Sequence, residues 1–111
     1  MQLAEKQCIA LRKGAKSLDT ETIEQLMDMI DSQWVLLASN TLISRHFKFL
    51  DFHQTMDFIN AVAQIAHHQD HHPEMQIGYN YCNVSFTTHI ADGLTENDFI
   101  CAAKIDLLSI S

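Results

Sequence analysis

Residues 51–73, DFHQTMDFINAVAQIAHHQDHHP, contain the longest periodic stretch of the chain. Its apolar side chains recur every three or four residues, the spacing of one face of an α-helix. They are Phe52, Met56, Ile59, Ala63 and Ala66, with Phe58, Val62 and Ile65 widening the stripe. Asp51 and Gln54 are spaced as in a helix capping box, and Pro73 cannot continue a helix. The stretch therefore predicts a long helix over about residues 52–69.

Segments with the character of β-strands lie on both sides of this helix. Upstream, the apolar run 34–37 (WVLL) is followed by the turn signal Ser39-Asn40 and by a segment in which residues 43, 47 and 49 are apolar. Downstream, apolar residues alternate over 75–79 and again over 84–88. A period of two indicates a strand with one buried face. Each pair of segments therefore predicts a β-hairpin.

Two further helices are expected near the ends of the chain. Asp19 is suited to be an N-cap, and apolar residues at helical spacing predict a helix over about 20–31. Thr95 and Asp98 form a second capping-box pattern before a C-terminal helix that carries Ile100, Ala103, Leu107 and Ile110.

The predicted order is α-β-β-α-β-β-α, in an α+β fold with a four-stranded antiparallel sheet and helices packed on one face. We expect a single domain over residues 1–111, of which 1–17 form a weakly structured N-terminal arm. The strand that carries Val84, Phe86 and Thr88 is one candidate for an open sheet edge, since alternation alone does not fix the strand order.

Composition excludes several classes of protein. The chain has 111 residues, 47% of them hydrophobic, and a formal net charge of -7. This acidity argues against a protein that coats nucleic acid or anionic membrane, and no apolar run approaches the ~20 residues of a membrane span. Residues 1–6 lack the apolar core of a signal peptide. Because Cys8, Cys82 and Cys101 form no CxxC pair, we expect reduced thiols in a cytoplasmic protein.

Four of the seven histidines lie within residues 67–72, HHQDHH. Imidazole exchanges protons near neutral pH, and Asp70 could orient one of the rings. Two other interpretations stay open from the residues alone. The histidines contain i,i+4 pairs that could bind a transition metal, although no HExxH is present, or they could simply be a solvated helix end.

Several stretches together resemble the pterin-4a-carbinolamine dehydratase family. They are 70–74 (DHHPE), 79–80 (YN), 87–89 (TTH) and 93–98 (GLTEND), with 47–52 (FKFLDF) and Trp34 upstream. The resemblance covers about residues 18–108 and implies the α+β fold described above, in homodimers or homotetramers. It also implies dehydration of 4a-hydroxytetrahydrobiopterin to quinonoid dihydrobiopterin, with no metal and no organic cofactor. In bacteria such a reaction recycles the pterin of phenylalanine hydroxylase.

The resemblance also implies roles for individual residues. His71, His72, His89 and Asp98 correspond to the family's catalytic positions. Substrate contacts are expected from Asp70, His71, His72, Thr87, Thr88, His89 and Ile90. We expect His71 and His89 to act as the acid–base pair and His72 to position the substrate. Asp98 is expected either behind the histidines or only as a helix cap.

This chain departs from the family pattern at two positions. His67 stands where many members have glutamate, and Met75 stands where many have tryptophan. Neither a fixed anion nor a flat indole face is therefore available there, which bears on rate and substrate choice. Two alternatives to the reaction remain: a non-catalytic dimerisation module, as some animal members are for a homeodomain transcription factor, and a dehydratase-like protein acting on another pterin.

Overall fold

The computed structural model describes residues 2–108, and its elements follow the order expected from the sequence. They are α1 (Thr20–Met27), β1 (Val35–Leu37), β2 (Leu42–Lys48), α2 (Phe52–Gln69), β3 (Glu74–Ile77), β4 (Tyr81–Phe86) and α3 (Glu96–Asp106), with 3₁₀ turns at Leu3–Glu5 and His89–Ala91. The predicted α+β fold is confirmed. Within residues 2–108 no helix has both the length and the hydropathy to cross a bilayer.

The four strands form one antiparallel sheet in the order β1-β2-β4-β3. The longest pairing joins β2 to β4, from Ile43 opposite Phe86 to Lys48 opposite Tyr81. β4 is therefore a central strand, and its candidacy for an open edge was wrong. The alternation of Val84 and Phe86 reports which face of the strand is buried, and it carries no information about lateral neighbours.

One face of the sheet holds the core, and the helices cover it. The inward side chains of β2 and β4 are fully or nearly fully buried: Ile43, Phe47, Cys82, Val84 and Phe86. Trp34 packs edge to face against Phe47, with ring centroids 6.4 Å apart. The ring centroids of Phe58, on α2, and Phe47 are 4.4 Å apart. Polar pairs such as Ser44 and Ser85, whose hydroxyls are 3.0 Å apart, occupy the opposite face.

The helix starts agree with the capping signals. Asp19 Oδ1 accepts a hydrogen bond from the Thr22 amide at 2.8 Å, and Asp51 Oδ1 accepts one from the Gln54 amide at 2.9 Å. The Gln54 side chain accepts from the Leu50 amide at 2.8 Å. Each of these bonds pairs a backbone N–H that has no carbonyl partner within the helix, either in its first turn or just before it.

The helix ends differ from the expectations. α1 ends at Met27 instead of residue 31, because the amides of Met29 and Ile30 donate to carbonyls three residues back and tighten the chain into turns. α3 ends at Asp106, and Leu107 is exposed. Ile110, which was expected in this helix, lies outside the described residues.

The N-terminal segment lies along α3. Leu3 is buried, and Lys104 Nζ donates to the Ala4 carbonyl at 2.8 Å. Lys6 forms an exposed ion pair with Glu96 at 3.0 Å. The Leu18 amide then donates to the Leu94 carbonyl at 2.8 Å. Because this segment covers α3 from outside the core, most residues of that helix are buried.

Candidate active site

The end of α2 turns the histidine cluster in two directions. Asp70 caps the helix in the left-handed conformation (φ 52°, ψ 42°), and the His71 amide donates back to the Ala66 carbonyl at 3.2 Å. Pro73 then holds the chain extended into β3. As a result His71 points inward, with 12% of its side chain exposed, while His72 is exposed.

A closed loop after β4 brings the second predicted segment beside His71. Thr88 and Gly93 exchange two backbone hydrogen bonds, of 2.9 and 3.3 Å, around the 3₁₀ turn His89–Ala91. Thr88 is buried inside this loop, whereas His89 and Ile90 are exposed. Thr88 therefore faces the interior of the protein, and the two residues after it face the solvent.

Asp98 joins these elements at the start of α3. Its side chain is fully buried, and Oδ1 lies 2.6 Å from His71 Nε2. Oδ2 accepts from the Thr88 hydroxyl at 2.8 Å and from the Thr95 amide at 2.9 Å. Three donors thus converge on one buried carboxyl group, which compensates it for the lost water. Asp98 is therefore both a member of the capping box of α3, in which Thr95 is the N-cap, and the partner of His71.

The surroundings of His71 favour its protonated form. Burial by itself lowers the pKa of the imidazole, but the hydrogen bond and the negative charge of Asp98 raise it, and the net pKa lies above 6.5. Asp70 adds a smaller effect in the same direction. The ring lies nearly parallel to Phe86, with centroids 5.9 Å apart, so its orientation is fixed from both sides.

The predicted site residues divide between two cavities. The larger cavity, of about 420 Å³, is lined by residues 8–11 and 69–71 with Thr88, Ile90 and Asn97. The smaller cavity has a volume of about 110 Å³. Its lining residues are Leu42, His72, Glu74, Ser85, Thr87 and His89. The structure thus places Asp70, His71, Thr88 and Ile90 at one cavity, and His72, Thr87 and His89 at the other.

The two departures from the family pattern line neither of these cavities. His67 is exposed on α2, and Met75 packs from β3 against the hydrophobic core. Among residues 2–108 no three His, Cys, Asp or Glu side chains are placed to hold a metal ion. The i,i+4 histidine pairs are separated because Asp70 ends the helix before His71.

Two polar residues at the larger cavity were not anticipated from the sequence. Gln69 and Asn97 immediately precede Asp70 and Asp98, and both bind the N-terminal segment. Both lie within stretches quoted from the sequence, Gln69 in HHQDHH and Asn97 in GLTEND, but no role was assigned to either. The only sequence signal for Gln69 and Asn97 is that each directly precedes a predicted site residue. Adjacency in the sequence does not show that they contact the N-terminal segment.

Comparison with known proteins places the chain among close relatives. A family model for pterin 4 alpha carbinolamine dehydratase matches residues 16–108. A protein of Nitrosomonas eutropha is 48% identical, over 98% of this chain and 95% of its own. One of Nitrosospira multiformis is 50% identical, over 96% and 91%. Both carry the provisional name pterin-4-alpha-carbinolamine dehydratase.

Solved structures share the fold. A Brucella melitensis protein described as a transcriptional coactivator/pterin dehydratase superposes with a TM-score of 0.76 and 32% identity, covering 81% of this chain and 95% of its own. A pterin dehydratase-like RuBisCO assembly factor of the alpha-carboxysome gives a TM-score of 0.59 over 67% and 86%, and at 24% identity it shows the fold alone. Because the family model matches most of its length, the chain belongs to the pterin 4 alpha carbinolamine dehydratase family.

Proposed function

We propose that this protein removes water from a 4a-hydroxytetrahydropterin, 4a-hydroxytetrahydrobiopterin by family expectation, to give the quinonoid dihydropterin. In this elimination the C4a–O bond breaks, the oxygen leaves as water, N5 loses its proton and a C4a=N5 double bond forms. The observation that carries the proposal is the His71–Asp98 pair at a cavity of about 420 Å³. That volume falls within the range of small-molecule sites.

His71 is proposed as the general acid. Hydroxide is a poor leaving group, and a proton delivered to the C4a oxygen makes it water. The Nε2 side of the ring is held by Asp98, so Nδ1 is the nitrogen left for the substrate. The hydrogen bond and charge of Asp98 raise the pKa of the ring and so favour the imidazolium from which the proton leaves.

A second imidazole is proposed to take the proton from N5. His89 is our candidate, with His72 positioning the substrate, as expected from the family pattern. Both line the smaller cavity, whereas His71 lines the larger one, so the substrate must contact both cavities for the acid and the base to reach the bonded atoms C4a and N5. Thr88, the neighbour of His89, is bonded to the same carboxylate as His71. Asp98 therefore couples the two histidine-bearing segments, and we assign it a positioning role. Asp70, Thr87, Thr88 and Ile90 are proposed as substrate contacts.

The remaining expectations extend this proposal. We propose that the protein assembles as a homodimer or homotetramer in the cytoplasm and takes part in recycling the pterin of a phenylalanine hydroxylase. Its quinonoid product returns to the tetrahydropterin level only after a separate two-electron reduction. No metal or organic cofactor enters the proposed steps, because the two proton transfers need only side chains.

Dehydration of freshly generated 4a-hydroxytetrahydropterin, followed by ultraviolet absorbance with and without the protein, tests the proposal. We expect a rate well above the spontaneous loss of water, which must be subtracted. A rate equal to the spontaneous one would overturn the reaction and favour the interaction module. Turnover only with a different carbinolamine would reassign the substrate.

A further inference from the structure

A short segment upstream of the family match forms one wall of the larger cavity. Residues 8–11, here called the strap, consist of Cys8, Ile9, Ala10 and Leu11 and face the same space as His71. The family model begins at residue 16, so the motifs that identify the catalytic positions do not include the strap.

Two side chains fix the backbone of the strap. The Cys8 amide donates to Gln69 Oε1 at 2.8 Å. The Ile9 amide donates to Asn97 Oδ1 at 3.1 Å, and Asn97 Nδ2 donates to the Ile9 carbonyl at 2.8 Å. The buried Asn97 thus uses both ends of its amide on one strap residue, as a neighbouring strand would.

The residues that hold the strap adjoin those that hold the acid–base group. Gln69 directly precedes Asp70 and lies two positions before His71, and Asn97 directly precedes Asp98. If the strap moved, the distance between it and His71 across the cavity would therefore change. This arrangement fixes the width of the cavity and brings one ionisable group, the Cys8 thiol, to it.

The chemistry of the strap suits binding better than proton transfer. Ile9, Ala10 and Leu11 are apolar, and Ile9 is 68% exposed. Such side chains can bury their surface against the flat face or the C6 substituent of a reduced pterin. None of the three can donate or accept a proton at neutral pH.

We propose that the strap is a substrate-binding wall and that Asn97 is its positioning residue. The inference rests on the proposed function, since the occupant is the reduced pterin. Contacts made equally in the ground and transition states lower KM and leave kcat unchanged. Releasing the strap should therefore raise KM roughly tenfold, with kcat held within about threefold.

The experiment compares Asn97→Ala with the wild type in steady-state dehydration, with the pH profile of kcat as a second readout. We expect KM to rise and the profile to keep its shape, because the Asp98 contact, which acts on the pKa of His71 more strongly than the Cys8 charge that moves with the strap, is untouched. Binding of 7,8-dihydrobiopterin by calorimetry should weaken by a similar factor. The control is Lys6→Ala, which removes an exposed ion pair outside the cavity and should change neither quantity.

A second variant tests the proposal even if Asn97→Ala fails to fold. Ile9→Ser/Leu11→Ser alters the apolar surface of the strap and leaves the Asn97 bonds in place, so a rise in KM there supports the proposal independently. An unchanged KM in both variants, with normal wild-type turnover, overturns the strap assignment alone. A wild type that neither binds dihydrobiopterin nor dehydrates the carbinolamine overturns the proposed function and the strap together.

Discussion

Asp98 Oδ1 lies 2.6 Å from His71 Nε2, although the two residues are 27 positions apart in the chain. The contact requires three local structures at once: the left-handed cap at Asp70, the loop closed between Thr88 and Gly93, and the N-terminal turn of α3. Each is an ordinary way to end or begin an element. Their convergence places a protonatable ring against a buried carboxylate at the edge of a cavity.

The first prediction concerns this pair. Asp98→Asn replaces one carboxylate oxygen by an NH2 group, which cannot accept, and removes the negative charge, so the pKa of His71 should fall while burial of the ring persists. We expect kcat/KM to drop roughly 10²-fold or more, the scale of a lost general acid. The pKa of the His71 ring is measured by NMR titration in the wild type and in Asp98→Asn. Thr88→Val, which removes one donor to Asp98 and leaves the histidine contact, is the control and should cost less.

A second prediction follows for stability. His71 has a folded-state pKa above the unfolded value of about 6.5, so its pairing contributes stability that is fully present below that pH. The contribution is lost as the pH rises through the folded-state pKa. Urea unfolding of wild type and His71→Gln between about pH 6 and pH 9 should show a difference in free energy that shrinks with rising pH. A difference that grows with pH would contradict the sign.

The third prediction assigns the histidines. His71→Ala and His89→Ala should each lower the rate roughly 10²-fold, whereas His67→Ala, on the exposed face of α2, should change it little. His71→Ala should also lower the melting temperature, because it leaves Asp98 buried without that partner. His89 is exposed, so its removal should not. A double variant that retains the full rate would remove both residues from the mechanism.

The fourth prediction concerns two thiols beside the strap. Cys8 Sγ lies 3.6 Å from Cys101 Sγ. The hydrogen bond from Cys101 lowers the pKa of Cys8 despite its partial burial, which favours the thiolate that attacks a disulfide. With oxidised glutathione as the two-electron acceptor, Cys8 and Cys101 should lose two protons and become linked, releasing two molecules of glutathione.

Cys82 provides the internal control, because burial raises its pKa to about 11. Peptide mapping without reductant should find the Cys8–Cys101 link and an unmodified Cys82. Since the closed loop is long, the linked protein should melt at a higher temperature. Glutathione left on Cys8 with Cys101 still reduced would mean that the two thiols cannot reach bonding distance.

Local signals predicted the elements well because each is determined by neighbours in the chain. Asp51 with Gln54 and the stripe from Phe52 to Ala66 were enough to bound α2. The strand order was not predictable, because it depends on which backbone donors meet between strands far apart in the sequence, such as Ile43 of β2 and Phe86 of β4. At the site, spacing indicated Asp98 as a cap, and only the tertiary structure brings its second oxygen to His71.

The last prediction concerns assembly. β1 and β3 are the edges of the sheet, and unpaired strand edges invite pairing with another chain. β3 has four residues against three in β1, so it offers the longer row of unpaired backbone groups. Exposure does not separate the two edges, because Ile77 of β3 and Leu37 of β1 are both 47% exposed. We therefore expect β3 edges to pair about a two-fold axis, with light scattering at micromolar concentration giving a dimer or tetramer of the 12.7 kDa chain. Ile77→Lys would bring like charges together across that axis and should lower the mass, whereas Leu37→Lys on β1 should leave it unchanged. If the wild type is a fully active monomer after dilution, or if only Leu37→Lys dissociates the assembly, pairing through β3 is wrong.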